Sequence, residues 1–378
     1  MMDSIDRAGG SDTSPAGPIR VGVVGLGRSG WGIHAETIAR LSERFRLVAV
    51  AEVDPHRRAE AQARFGCHAY TEVEAMLPHT EAELIVVATP SHLHAQHAIA
   101  AMEAGKHVLC EKPMAMSSDE ADAMIAVAKR TGRVLTAFHN RRFDLHFLKV
   151  RELVESGELG RIIQVRFVMH GFARRWDWQT LKAFGGGMLN NAGPHFLDQL
   201  LSFLPDKPLE VFCHVDRALT LGDAEDHCVV LLRVPGSPGL PLVQMELTSA
   251  CCLPQESWLV MGTRGTLRGG FHRLKWRIAD FSHLPARQVE RGPAPDRSYN
   301  RETPRWRDGA WEAPPDQASV QWTHQRFYEC LYDSLRRGAP LVVAPQQVQR
   351  QMRVLDACHA QADAWMPPVA AGDCVAVV

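Results

Sequence analysis

Apolar residues in the first third of the chain come in short uninterrupted runs. Ile19–Gly25 (IRVGVVG), Arg46–Val53 (RLVAVAEV), Leu84–Thr89 (LIVVAT), His107–Pro113 (HVLCEKP) and Val134–Asn140 (VLTAFHN) each read as a strand buried on both faces. Helical spacing fills the gaps: about Trp31–Leu41, the segment PHRRAEAQARF with proline first, about Ser91–Ala104, and SSDEADAMIAVAKRTG. Gly105 and Gly132 stop the last two. Strand–helix alternation with short connections predicts a parallel, doubly wound α/β sheet. Ligands of such sheets sit beyond the carboxyl ends of the strands. That singles out Gly25–Gly30, Glu52, Thr89–Pro90, Glu111–Pro113 and His139–Asn140.

Past residue 140 the pattern changes. A helix is expected at about Leu145–Ser156, then a strand at RIIQVRFVMH. Gly185-Gly186-Gly187 opens a helix from roughly Met188 to Phe203. Strands follow near Leu209–Arg217, His227–Val234, Leu242–Ser249, Glu256–Met261, Thr266–Leu267 and Leu274–Ile278. Successive strands predict an α+β domain with a large mixed or antiparallel open sheet, helices on one face. Its other face, partly apolar, is expected to join subunits into a homodimer or homotetramer. Phe281–Ser319 lacks periodicity and reads as a long loop insertion. Helices at about Val320–Arg337 and Pro345–Trp365 close the chain. The expected division is a disordered leader at 1–18, a first domain at 19–140, a second at 141–365 including the 281–319 loop, and a tail at 366–378.

Composition narrows the partners. With 46% hydrophobic and 22% charged residues and a net charge of −1, the chain has no basic field for nucleic acid or an anionic membrane. No apolar run approaches the roughly 18 residues of a membrane-spanning helix. The polar, Gly/Pro-rich start has no signal-peptide core. Nine scattered cysteines without a C-x-x-C pair suit reduced thiols in the cytoplasm.

Chemistry enters at the strand ends. Gly25-Leu26-Gly27-Arg28-Ser29-Gly30 is G-x-G-x-x-G, closing the first strand and opening a helix, with Glu52 at the end of the second strand. Glycines let a pyrophosphate approach backbone N–H groups at a helix N-terminus. Glu52 suits the adenosine ribose hydroxyls and repels a 2′-phosphate, so NAD is expected; Arg57 and Arg58 keep NADP open. Lys112, in Glu111-Lys112-Pro113, sits where a nicotinamide should lie. A lysine in a partly dry cleft beside that positive ring falls from ~10.4 toward neutrality and can take a hydroxyl proton. Position alone leaves a solvated loop lysine as an equal reading.

These segments resemble the Gfo/Idh/MocA oxidoreductases, a family that includes glucose–fructose oxidoreductase and inositol dehydrogenase. The resemblance runs from about Ile19 to Ala344. It rests on the glycine loop, Ala88-Thr89-Pro90-Ser91-His92-Leu93-His94, Ala104-Gly105-Lys106-His107-Val108, Glu111-Lys112-Pro113 and Asn140-Arg141-Arg142-Phe143. It implies that Glu111 and Lys112 face the cofactor, with Lys112 as acid/base, and that Thr89–His94 lines the nicotinamide side. His94 then sits near the cofactor, with His92 and His97 on the surface. Three histidines at i, i+2 and i+5 share no helix face, so no metal is expected.

Asn191 and His195, four apart on the predicted helix, match a family pair whose first member is usually Asp. Neutral Asn cannot raise the histidine pKa. Lys112 is therefore the main acid/base, His195 bonds the reacting oxygen, and Asn191 positions it. His139, Arg142 and the stretch Arg174-Arg175-Trp176-Asp177-Trp178, Trp176 above all, are candidate substrate residues, since indole faces and arginines suit sugars. Asp198 either holds the helix or faces the cleft. The expected activity is hydride transfer between NAD(P) and a ring hydroxyl or ketone of a sugar, inositol or related polyol. Glycoside cleavage through transient oxidation, and a non-enzymatic NAD-sensing regulator, are the alternatives.

Overall fold

The computed structural model describes residues 17–292, 297–317 and 319–365; residues 1–16 of the expected leader and the whole expected tail lie outside the described residues. Six parallel strands form the first sheet: β1 (Ile19–Val24), β2 (Phe45–Ala51), β3 (His68–Tyr70), β4 (Leu84–Val87), β5 (His107–Cys110) and β6 (Leu135–Ala137). Their order is β3-β2-β1-β4-β5-β6. β4 is buried throughout and β1 nearly so, which is why both read as unbroken apolar runs. The order reverses between β1 and β4, and the crevice at that reversal is where such sheets bind ligands. The helix Pro55–Phe65 is capped by the Asp54 carboxylate and stops at left-handed Gly66; Ser118–Thr131 is capped by Ser117 and stops at Gly132.

The second sheet has eight strands: β7 (Ile162–His170), β8 (Glu210–Asp216), β9 (His227–Arg233), β10 (Leu242–Thr248), β11 (Trp258–Gly262), β12 (Gly265–Gly269), β13 (Arg273–Asp280) and β14 (Arg305–Glu312). They lie in the order β14-β13-β12-β11-β7-β10-β9-β8, with β7 and β10 parallel and every other pair antiparallel. One face carries the core: Phe167 stacks on Phe196 at 4.1 Å, and the buried Trp258 indole donates to His146 Nδ1 at 2.9 Å.

Two expectations need correction. Phe281–Ser319 is not all loop, because β14 lies within it and pairs with β13 along eight positions, Asp280 to Arg273. The helix expected from Met188 to Phe203 is two, Met188–Asn191 and Gly193–Leu201. Pro194 has no N–H to donate and its ring crowds the preceding turn, so the helix restarts there.

The last two helices return across both sheets. Val320–Arg337 sets Tyr328 against Phe45 of β2 at 5.2 Å between ring centres. Pro345–Trp365 reaches the first sheet's helix through Asp356, which accepts from Ser118 N at 2.9 Å, and reaches β8 through Gln361, which accepts from Cys213 N at 2.8 Å. Among the described residues no helix is long and apolar enough to cross a membrane.

Candidate active site

A cavity of about 940 Å³ opens at the carboxyl ends of β1 and β4 and extends to the split helix of the second sheet. Its lining takes in Gly25, Gly27, Arg28, Ser29, Glu52 and Arg57; Thr89, Pro90, His94 and Glu111; and Lys112, Asn191 and His195. Lys112 and His195, far apart in sequence, thus share one cavity.

The glycines divide the work. Gly25 has φ +86°, and a Cβ there would lie 2.8 Å from the Ala88 carbonyl oxygen; a Cβ on Gly30 would meet the Gly25 carbonyl oxygen at 1.8 Å. Both serve close backbone packing, and Gly30 does not line the cavity. Gly27 does, and its missing Cβ leaves open space. Backbone without side chains at a cavity wall fits a dinucleotide's pyrophosphate. Glu52 Oε2 accepts from Leu26 N at 2.6 Å and Oε1 from Asp54 N at 3.0 Å, tying the loop to the end of β2. Arg58 is spent on the carbonyls of Glu52 and Val53, at 2.6 and 2.9 Å. Arg57 lines the cavity, 4.0 Å from Glu52 and 3.7 Å from Asp54.

His94 is a brace. Its Nδ1 lies 2.7 Å from the Pro113 carbonyl and its Nε2 2.8 Å from that of Thr89, joining the Thr-Pro turn to the Glu-Lys-Pro segment. Burial lowers its pKa, against those two backbone bonds. His97, expected on the surface, instead lines the cavity with Nδ1 3.2 Å from Thr89 Oγ1. Its helix turns it inward, whereas His92 is exposed.

Lys112 Nζ donates to the Asn191 carbonyl at 2.7 Å and lies 3.5 Å from Asn191 Oδ1. That carbonyl is free because of the helix break: His195 N bonds Ala192 O, at 3.2 Å, instead of Asn191 O four residues back. Burial lowers the Lys112 pKa, Glu111 opposes this, and Arg141, Arg28 and Arg175 add to the fall. Burial works against the Glu111 carboxylate, but His34 and Lys112 outweigh it and bring its pKa to about 2. His195 Nδ1 is buried with no hydrogen-bond partner among the described residues. Burial first, then the Lys112 and Arg141 charges, push its pKa well below the usual value, so the imidazole is neutral at pH 7. With Asn at 191, no carboxylate from that position reverses this.

Three expected substrate residues lie elsewhere. Arg142 forms a two-pronged pair with Asp198, at 2.7 and 2.6 Å, and also donates to the Val342 carbonyl. Asp198 therefore braces the helix. His139 is 1% exposed and outside the cavity wall. Trp176 is 74% exposed and also outside it. Of the same expected stretch, Arg175, Asp177 and Trp178 do line the cavity, and so do the neighbours Asn140, Arg141 and Gln179. Within a loop, which of two adjacent residues faces inward has no period to reveal it. His324, from the helix Val320–Arg337, also lines the cavity and carried no motif.

Comparison with known proteins agrees with this two-sheet fold. The Gfo/Idh/MocA oxidoreductase family's NAD-binding Rossmann fold matches residues 19–139, and that family's C-terminal domain matches residues 147–268. An oxidoreductase of Schizosaccharomyces pombe is 28% identical over 369 residues, 90% of this chain and 96% of that protein. The myo-inositol 2-dehydrogenase of Thermotoga maritima is 30% identical over 57% of this chain and 65% of its own. Among solved structures, an NAD-binding protein from Listeria innocua superposes with a TM-score of 0.74 at 26% identity, covering 92% of this chain and 98% of that one.

Proposed function

We propose, on the premise that this chain belongs to the Gfo/Idh/MocA oxidoreductases, that it moves a hydride between NAD and a ring hydroxyl or ketone of a sugar, inositol or related polyol. The single observation carrying this is the shared cavity, with the Lys112 ammonium and the neutral His195 imidazole on one wall system and the glycine loop on another. Bound NAD supplies the hydride acceptor. The chain's own residues handle the proton and the orientation. Lys112 Nζ, its pKa lowered by burial, takes the hydroxyl proton as the carbinol carbon gives up its hydride, and returns it in the reverse direction. His195 bonds the reacting oxygen, and Asn191 holds the lysine by its main-chain carbonyl.

Glu52 supports a preference for NAD over NADP, and Arg57, in the lining 4.0 Å from it, opposes that preference. The two sheets support a division of the chain near residue 140, and the uncovered face of the second sheet is the subunit contact in this reading. Substituting Lys112→Ala should abolish NADH production on a panel of cyclic polyols and leave NAD affinity, read by fluorescence quenching, within a few-fold. A fully active K112A protein refutes the acid/base role. Product formed without net NADH would redirect the reading to glycoside cleavage by transient oxidation.

A further inference from the structure

Behind Glu111 lies a buried chain of polar groups that the proposed chemistry does not use. His34 Nε2 is 3.1 Å from Glu111 Oε1, and His34 Nδ1 is 2.8 Å from the Tyr328 hydroxyl. Glu111 Oε2 accepts from Lys112 N at 3.0 Å. His34 and Tyr328 have no solvent exposure. The three groups come from three places: the helical turn Gly30–Ala35 directly after the glycine loop, the end of β5, and the helix Val320–Arg337. One tautomer satisfies every atom: Nε2–H donates to Glu111 and Nδ1 accepts from the Tyr328 hydroxyl. A buried carboxylate needs such donors, because leaving one oxygen unpaired costs more than the bond contributes.

We propose that His34, held by Tyr328, is a positioning residue for Lys112, fixing the Glu111 carboxylate behind the lysine so that its charge acts on the reacting amine. This rests on the reading of Lys112 as the acid/base residue. Around the carboxylate stand Cys110 on β5, His94, His139 after β6, and Tyr328 and His324 on the helix Val320–Arg337. Among the described residues, His34 and Lys112 alone donate a hydrogen bond to it. Facing the amine, Glu111 raises its proton affinity while Arg141, Arg28 and Arg175 lower it. Losing the His34 donor leaves only Lys112 to oppose burial at Glu111, so the carboxylate is held less firmly and its charge raises the Lys112 pKa less.

Competitive labelling of Lys112 with an amine-reactive reagent, read by mass spectrometry across pH on the full chain without substrate, measures the lysine directly. In His34→Phe the labelling midpoint should fall by about one pH unit, as expected for loss of a close charge effect. Tyr328→Phe, which removes a single oxygen, should shift it the same way by less. His34→Gln, whose amide can still donate to Glu111, should recover most of the wild-type midpoint. Where turnover is measured, the acid limb of alcohol oxidation should move to lower pH in step. A midpoint within ~0.2 pH unit of wild type, in whichever of H34F and Y328F folds, overturns the proposal, even if its melting temperature has dropped. Labelling needs no turnover, so failure here leaves the role of Lys112 standing. An active K112A protein would remove that role without touching the labelling result.

Discussion

Glu225 shows how one buried side chain outside the cavity makes the stability of the fold depend on pH. Its Oε1 accepts from Leu189 N at 2.9 Å, at the start of the short helix that carries Asn191. Gly187 leaves it room, since a Cβ there would fall 2.2 Å from that oxygen. Burial, opposed by the Leu189 bond, raises its pKa to about 7. The folded state therefore binds the proton more tightly than the unfolded chain. This contribution is fully present below about pH 4.5 and is lost as pH rises to about 7, at a cost of about 3 kcal/mol. Glu225→Gln keeps an acceptor for Leu189 and cannot ionise. Its urea midpoint should exceed that of wild type at pH 8 and match it near pH 4.5; equal curves at pH 8 would show Glu225 to be freely solvated. At Glu52 the expectation concerns selectivity. Glu52→Ala should raise the NADP-to-NAD ratio of kcat/KM by about tenfold, ~1.4 kcal/mol, by removing the repelling carboxylate beside Arg57. An unchanged ratio would mean that Glu52 only braces the loop through Leu26 and Asp54.

Among elements, the break between Asn191 and Gly193 matters most. An unbroken helix would give the Asn191 carbonyl to His195 N, in competition with Lys112. Pro194→Ala permits that helix to run through. Turnover should fall about tenfold, ~1.4 kcal/mol in the barrier, with NAD affinity unchanged, as stopped-flow and equilibrium titration would show. Unaltered turnover would mean that the lysine does not depend on this carbonyl. The break was readable as Gly193-Pro194, yet the apolar period runs across it and suggests one helix. The same limit hid β14, since Arg305, Trp306, Arg307 and Asp308 are all exposed and leave no two-residue alternation. That edge strand is held by its eight-position ladder with β13, to which Arg277 adds a pair with Asp308 at 2.6 and 2.9 Å and a place over the Trp306 ring at 5.6 Å. β1, β2, β4 and β5 were legible because burial on both faces writes itself as apolar runs; three-residue β3 at the sheet edge was not. Gly27, Glu52, Lys112 and His195 stood out because strand ends and spacing mark them. His34 and Tyr328 meet only through the fold, 294 positions apart.

For the whole molecule, the outward face of the second sheet carries the remaining expectation. Along β9, Cys228, Val230 and Leu232 are buried inward, while Val229 and Leu231 point outward and are still half-buried. One outward row crosses five strands in register: Phe212 beside Leu231, then Gln244, Arg166 and Leu259. Phe212 is 50% exposed in the single chain. Apolar positions at both ends of a polar middle are what the proposed contact between two copies of this chain would cover. Charges placed there should oppose that pairing and spare the fold, because the opposite face holds the core. Phe212→Glu with Leu231→Glu should therefore sediment as a smaller species than wild type at equal micromolar concentration, with an unchanged circular dichroism spectrum. A wild-type chain that sediments as a monomer would show that this face needs no partner. The cavity, lined from elements of one chain alone, would then be expected to turn over substrate at every dilution.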